Sequence, residues 1–575
     1  MRAKIAISKI GFALMVLMSL ALAGGSLAVS GATLRQAQGR LLRQVQGTTY
    51  YVGQTNCSDT GPGDYQTPFC SFETALAHLQ PGDTLIIKAG TYTERLVVTG
   101  LAATTDAPIV IRGESRDTVI FDGGCPDFPC SINDVDRDLW WDLVEWASVE
   151  GMVNIQDSSF ITLRDFTVQN AIAAGVSVFG GTGNVITHVT TNGTGNSGLL
   201  LADTANLTVI HNDVGRAQLG FRDEDGNMHI GYHEALSIVA VSNFVVTYNY
   251  VHDTQKEGIT VKESSTNGEV HHNFVERACA VGIYIDEAHY VQVYNNQVRR
   301  SGYYLADDGQ EQLCGSHPVY SDWHGQYYGN GTMLAVGDLG EAGRGRLSNV
   351  RVYQNVVWDA HGNGLQFWDE LQESGTGVGE MTGNQVYNNV FYNSALAGIR
   401  LDDVDDTVVA NNIIALNDEE GITGNSIAIN TVSHNLFYFK YDWHQPAGTN
   451  YVIDDPLLVD PASGDFHLRE GSPAIDAGTN EGAPEVDFDG NPRPLDGNSD
   501  GMAVVDIGAD EFTLLGDLDH DCDVDVADIM LVASHWHSSV GDDDYSPIYD
   551  LDEDGDIDIV DIMLVAVHWG ENCGQ

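Results

Sequence analysis

From about residue 170 to residue 440 the chain alternates apolar and polar residues in short runs, each closed by a polar turn. One unit recurs: a glycine, a short apolar strand, a polar turn, a second strand, an asparagine and a third strand. The asparagines are Asn212, Asn249, Asn273, Asn296, Asn355, Asn389, Asn412 and Asn435, in motifs such as YNYV, HNFV, NNQV, QNVV, NNVF, NNII and HNLF. The steps 249 to 273, 273 to 296, 389 to 412 and 412 to 435 are 23 or 24 residues long. Alternation with period 2 puts every second side chain on one face of a strand. A repeat near 23 residues with three strands predicts a parallel β-helix, with the asparagines stacked inside the coil and pairing their amides from rung to rung. Leucine-rich repeats share the period but need a leucine consensus that is absent here.

The first strand of most units begins 13 residues before its asparagine. That register aligns Leu236–Val239, Ile259–Lys262, Ile283–Asp286 and Ile399–Asp402, and Leu365–Trp368 shows the same pattern. Adjacent rungs lie about 4.8 Å apart, so Lys262 and Asp286 are expected side by side, facing outward with Thr260 and Tyr284. Two residues before the strand stand Glu234 and Glu257, preceded by His233 and Lys256. One residue past it stand Glu263, Glu287, Asp369 and Asp403. Two lysines, a histidine and many carboxylates are thereby placed on one surface. Between Asn296 and Asn355 about 35 extra residues, rich in Tyr, Trp, Gly and His (Tyr303, Tyr304, Tyr320, Trp323, His324, Tyr327, Tyr328), are read as an insertion that either walls a groove for sugar rings or is a plain loop.

Residues 49–95 contain TPFCSFETALAHLQPGDTLIIKAGTYTERLVV, in which Ser71 is placed to cap a short amphipathic helix over the open end of the coil. This opening resembles that of exported right-handed β-helix proteins, among them relatives of pectate and alginate lyases. Residues 464–512, with GDFHL, GSPAIDAG, VDFDGNPRP and DIGADEF, resemble the closing segment of the same group. The resemblance, over roughly 48–512, implies an all-β fold, a single-stranded pectin-lyase-like solenoid. It says less about reaction, because the fold hosts many chemistries.

Composition adds direction. The chain has 575 residues, 82 acidic against 26 basic, and a formal charge of −56. So acidic a surface argues against nucleic acid and against anionic membranes as partners. The charge is uneven: residues 1–47 carry six basic and no acidic side chains, whereas residues 511–575 carry 18 acids and no Lys or Arg. Arg2, Lys4 and Lys9 followed by the apolar run 10–23 and small residues read as a secretory signal peptide over 1–28. A linker at 29–48 follows, and no later stretch is apolar enough for a membrane span, so a secreted or cell-surface location is expected. Eight cysteines in an exported chain favour disulfides, with nearest-neighbour pairs Cys57/Cys70, Cys125/Cys130, Cys279/Cys314 and Cys522/Cys573 as one reading.

The acidic tail is a duplicated loop. Residues 517–528 read DLDHDCDVDVAD and 550–561 read DLDEDGDIDIVD, each running into a near-copy of one helix. Calcium takes six to eight oxygens, and an EF-hand loop supplies them from positions 1, 3, 5, 7, 9 and 12. These positions are Asp517, Asp519, Asp521, Asp523 (through its carbonyl), Asp525 and Asp528, then Asp550, Asp552, Asp554, Asp556, Asp558 and Asp561. Two Ca2+ ions are expected. Asp at position 12, the duplication and the lack of a preceding helix resemble type I dockerins over about 516–573, implying a small all-α calcium-binding domain that docks a cohesin-like protein. Positions 10 and 11 are Val526-Ala527 and Ile559-Val560 where Ser or Thr is common in that family, and Cys522 stands where Gly is usual.

The expected organisation is therefore 1–28 signal peptide, 29–48 linker, 49–455 β-helix with its N-terminal cap, 456–512 closing segment and 516–573 dockerin-like domain. The expected function is secreted cleavage of a polysaccharide. β-Elimination of a uronate glycan, slightly favoured over hydrolysis, would use Lys262 as base and a calcium ion held by Glu263, Asp286 or Glu287; EGITVKESSTNGEVHHNFV resembles a stretch of β-helix alginate lyases. Hydrolysis would pair Asp286 with Glu257, Asp369 or Asp402, with Glu234 nearby. The alternative from another class is a non-catalytic glycan-binding or adhesion β-helix.

Overall fold

A computed structural model of the chain describes residues 47–126, 150–222, 228–229, 233–305, 310–314, 329–336, 345–374, 378–498, 500–514, 516–519, 523–539, 545–552 and 554–571. The segment read as a signal peptide and nearly all of that read as a linker lie outside these residues, as do Tyr320, Trp323, His324, Tyr327, Tyr328, Asp521, Cys130, Cys522 and Cys573.

The body from Thr49 onward is a parallel β-helix. One face is an eleven-stranded sheet in strict chain order: Leu96–Thr99, Gly151–Gln156, Ala174–Phe179, Leu199–Ala202, Leu236–Val239, Ile259–Lys262, Val281–Asp286, Asn330–Val336, Leu365–Asp369, Ile399–Leu401 and Ile422–Thr423. The second and third strands of the coils form two further columns, such as Ser242–Thr247 on Thr266–His271 and Tyr250–Thr254 on Phe274–Ala278. Alternation does what the period implies: Ile238, Val261, Ile285, Leu334, Phe367 and Leu401 point inward and are fully buried in one continuous core.

The eight asparagines form one amide ladder. Each Nδ2 donates to the Oδ1 of the next rung at 2.9–3.0 Å, from Asn212 through to Asn435. Each backbone N–H from Asn212 to Asn412 donates to the same oxygen, at 2.9–3.0 Å. Buried amides in a dry coil need such partners, because an unpaired one costs about 1–3 kcal/mol. The residue before each ladder Asn, from His211 and Tyr248 to His434, has φ between 52° and 59°. That left-handed residue turns the chain by one side of the coil and was not legible in the spacing.

The insertion is in part a rung. Asn330–Val336 pairs with Val281–Asp286 on one side and with Leu365–Asp369 on the other. All seven residues are buried, so NGTMLAV lacks the alternation that betrays the other strands. Tyr303–Leu305 and Glu311–Leu313 form a hairpin beside it, and Cys279–Cys314 ties its end to the coil with Cα atoms 5.6 Å apart. Cys57–Cys70 is also formed, at 4.9 Å, and Cys125 is disulfide-bonded.

At the start, Ser71 caps helix Phe72–Ala77 by accepting from the Thr74 N–H, and Phe72 and Ala75 join the core. The segment 456–512 lies along the third-strand face and not across the coil end. Leu458, Phe466, Leu468, Ile507 and Phe512 pack on Trp358, Val390, Ile413 and Leu436. Its carbonyls take side-chain donors from the turns: Asn295 to Phe488, Asn388 to Asp506 and Gly508, and Asn411 to Thr479. Beyond it, helices Val526–Ser534 and Ile559–Val567 close a small core of Val524, Val532, Ile557 and Val565.

Candidate functional site

The register brings Lys262, Glu234 and Glu257 together as the spacing predicts. Val239 pairs with Lys262 and Val261 with Ile285, so Asp286 is on the next rung in line with Lys262. The surface is not open, however. Thr260 and Ser237 are fully buried, Tyr284 nearly so, and Glu234, Glu257 and Asp286 are between 5% and 9% exposed.

Lys262 forms its ion pair with Glu234, on the preceding rung. Its Nζ donates to Glu234 Oε1 at 2.9 Å, and Ser237 Oγ donates to Glu234 Oε2 at 2.7 Å. Burial, the largest single influence, would push the Glu234 carboxyl up, but Lys262, His233, the Ser237 hydrogen bond and Lys256 together reverse it and hold it at about 2. Burial pulls the Lys262 ammonium down, and Glu234, with Asp286 and Glu257, more than restores it, so its pKa ends above the ordinary value. Glu257 has no such rescue: burial and then the Glu234 charge push its carboxyl up. His233 is drawn down to about 4, first by burial and then by Lys262, so its ring is neutral near pH 7. Gln218, which the spacing did not single out, braces this corner through Oε1 to the Lys256 N–H and Nε2 to the His233 carbonyl.

Two other expected carboxylates are elsewhere. Asp369 Oδ1 accepts from the Gln372 N–H and Oδ2 from the Gly379 N–H, at 3.1 and 2.7 Å, with the residue 1% exposed. It fixes the start of a loop. Asp402 binds Arg400 Nε at 2.5 Å and the Asn425 N–H at 3.0 Å. The pairings Asp286–Ala335, Ala335–Trp368 and Gln366–Arg400 set it three rungs from Asp286. At about 4.8 Å per rung that is about 14 Å, beyond the roughly 5–9.5 Å of paired glycosidase carboxylates. Trp368 and Tyr284 pack with Met333 and Ala335 between the two positions.

In the C-terminal loops, one carboxylate oxygen from each of Asp517, Asp519 and Asp528 lies within 4.8 Å of the others, and the same holds for Asp550, Asp552 and Asp561. Asp528 and Asp561 are fully buried. Each also closes a capping box: Asp525 N–H donates to Asp528 Oδ2 and Asp558 N–H to Asp561 Oδ2, both at 2.7 Å. Asp525 and Asp558 are the N-caps, their side chains accepting from the Ala527 and Val560 N–H groups. Asp554 Oδ1 accepts from the Asp556 N–H within the second loop. Converging hard oxygens of this number fit calcium, and the repulsion among the acids raises the Asp556 carboxyl, chiefly through Asp554.

A separate cleft of about 580 Å3 lies on the closing-segment side, lined by His272, Tyr294, Arg351, Tyr353, Glu485 and Asp489 among others. It does not touch the Glu234–Lys262 cluster.

Residues 147–298 match the family described as right handed beta helix region, and residues 344–445 match that described as periplasmic copper-binding protein (NosD). No curated protein matches the chain. Among solved structures it is similar to the pectate lyase Pel9A, at 16% identity over 81% of this chain and 97% of that one, with a TM-score of 0.47. It is also similar to a GH136 lacto-N-biosidase from Eubacterium ramulus, at 13% identity over 74% and 69%, TM-score 0.43. An alginate lyase from Paenibacillus sp. str. FPU-7 matches at 12% over 59% and 95%, TM-score 0.36. Identities of this size say nothing about reaction. The class defined by the strand pairing and the matched region is a right-handed parallel β-helix. Among the described residues no helix is long and apolar enough to cross a membrane.

Proposed function

We propose that this is a secreted polysaccharide-degrading enzyme that cleaves glycosidic bonds by acid–base chemistry at the Glu234–Glu257–Lys262–Asp286 cluster. The observation that carries the reading is the split between neighbouring carboxyls. Glu234 is held ionised by Lys262 and Ser237, while Glu257 is pushed towards the protonated form a proton donor needs. Asp286, on the rung above, supplies the second carboxylate. Hydrolysis fits this better than elimination with Lys262 as base, because an ammonium locked against Glu234 does not take a proton. A second reading keeps elimination but gives Lys262 another task. As a fixed cation it would neutralise a uronate carboxylate, a task the sequence alone assigned to calcium.

The tail supports a calcium-dependent tether. Asp517, Asp519 and Asp528 would hold one ion and Asp550, Asp552 and Asp561 the other, with Asp521, Asp523, Asp525, Asp554, Asp556 and Asp558 completing the two sets. Bound calcium would neutralise the loops and leave exposed Val526, Met530, Ile559, Val560 and Met563 as a docking face for a cohesin-like protein.

The test is a panel of neutral and uronate glycans read for reducing ends and for the ultraviolet absorbance of unsaturated uronates. New reducing ends without absorbance support hydrolysis, absorbance supports elimination, and silence on every glycan sinks the enzyme reading in favour of a binding protein. Glu257→Gln is expected to lower kcat by about 10²–10⁴ with the fold kept. Undiminished kcat would remove Glu257 from the mechanism.

A further inference from the structure

The closing segment gathers three groups that the cleavage chemistry does not use. His467 stands on strand Asp465–Leu468, Asp489 on the turn that follows Asp487, and Asp510 in the last stretch before the acidic tail. One ligand atom from each lies within 4.8 Å of the others. His467 Nε2 is 2.8 Å from Asp489 Oδ2, near the roughly 3.3 Å edge spanned by two ligands about 2.0 Å from a tetrahedral ion. The other ring nitrogen, Nδ1, is 2.6 Å from Asp465 Oδ1. With a carboxylate on each ring nitrogen the imidazole is held as a cation; a metal ion would take the place of the Nε2 proton shared with Asp489, while Asp465 on Nδ1 fixes the ring as the outer partners of metal-bound histidines do.

Asp510 supplies the independent observation. It is 7% exposed, and its one hydrogen bond is from the Leu468 N–H to Oδ2, at 2.8 Å. No Lys, Arg or His nitrogen of the described residues stands within ion-pair distance of it. A buried carboxylate beside an imidazole and a second carboxylate is favoured by positive charge, whether from the protonated ring or from a metal ion in its place. His467 and Asp489 are 52% and 42% exposed on their side chains, which leaves an entry path and room for solvent ligands.

We propose that His467, Asp489 and Asp510 form a binding site for one divalent transition-metal ion of the zinc class, distinct from the two acidic loops. One imidazole with two carboxylates suits such an ion better than calcium or magnesium, which prefer all-oxygen shells. The three ligands come from three pieces of the closing segment, so the ion clasps that segment to itself. It also braces the wall of the 580 Å3 cleft, to which Asp489 belongs.

The experiment uses the full chain with millimolar Ca2+ present, so that the acidic loops are filled and do not report. After incubation with Zn2+ and gel filtration, the protein is expected to retain one equivalent of zinc by elemental analysis, and Co2+ in its place to give visible d–d bands. Both are expected to be lost in His467→Gln. Should that variant misfold, Asp489→Asn, at a half-exposed position, carries the same comparison. Failure of the wild-type chain to retain zinc, or equal retention by the variant, overturns the site and shows the cluster to be a histidine ion-paired with carboxylates. Neither result bears on glycan cleavage.

Discussion

Lys262 and Glu234 fix one another's charge because both side chains are largely withdrawn from water, at 14% and 7% exposure. Removing one partner strands the other. Lys262→Met is expected to destabilise the coil by about 3–5 kcal/mol, and Lys262→Met combined with Glu234→Gln to recover most of that, read as urea midpoints. The pH dependence has a definite sign. Glu234 lies below its ordinary range in the fold, so its contribution is complete above about pH 4.5 and is lost as pH falls towards 2. His252 goes the other way. Burial opposes the charged ring, but its hydrogen bonds to Asp213 and Asp253, with the charges of those carboxylates, outweigh it and raise the pKa to about 9. Its contribution is complete below about pH 6.5 and fades as pH rises through 9. His252→Gln should flatten the alkaline limb of a stability–pH curve and leave the acid limb unchanged. At this scale the sequence told which residues meet and not how they are charged. The row of Lys262 and Asp286 followed from a period of two, but the choice of Glu234 as partner depends on side-chain reach, which spacing does not encode.

The rungs themselves were legible because their pattern repeats. Asn249 to Asn296 and Asn389 to Asn435 announce their spacing, and the ladder joins them as expected. Asn330–Val336 escaped because a strand buried on both faces has no polar beat. The αL residue before each Asn escaped because Tyr, His, Gln and Asn all occupy it. Within the ladder, position sets the cost. Asn296 Nδ2 reaches Val270 O, Tyr294 O and Asn355 Oδ1, whereas Asn435 Nδ2 reaches Val409 O and Ser433 O at the last rung. Asn435→Ala takes the acceptor from the N–H of Asn412; Asn296→Ala does the same to Asn273 and also breaks the amide link onward to Asn355. We expect it to lower the unfolding midpoint clearly more than Asn435→Ala, by limited proteolysis or thermal melting.

For the whole chain, the two halves of the acidity have different fates. The body keeps its charge, which disfavours anionic glycans unless a cation such as Lys262 receives them. The tail should answer to calcium. EDTA is expected to abolish the helical signal of Val526–Ser534 and Ile559–Val567 while the β-sheet signal stays, by circular dichroism; helices indifferent to EDTA would remove calcium from the account. The parallel coil could be read in advance. The placement of the closing segment along the side could not, since it rests on long-range contacts such as Asn295 with Phe488.

The asparagine ladder runs unbroken from Asn296 to Asn355 although 59 residues of chain separate those rungs, against 23 between Asn273 and Asn296. Height along the solenoid is thus counted in amides and not in residues. The loops thrown out between rungs are free to vary in length without shifting any neighbouring strand. A foreign peptide spliced between two rungs, for instance in the segment between Arg300 and Asn330, should be displayed on the surface with the coil on either side still in register, which makes the protein a ready scaffold for presenting loops.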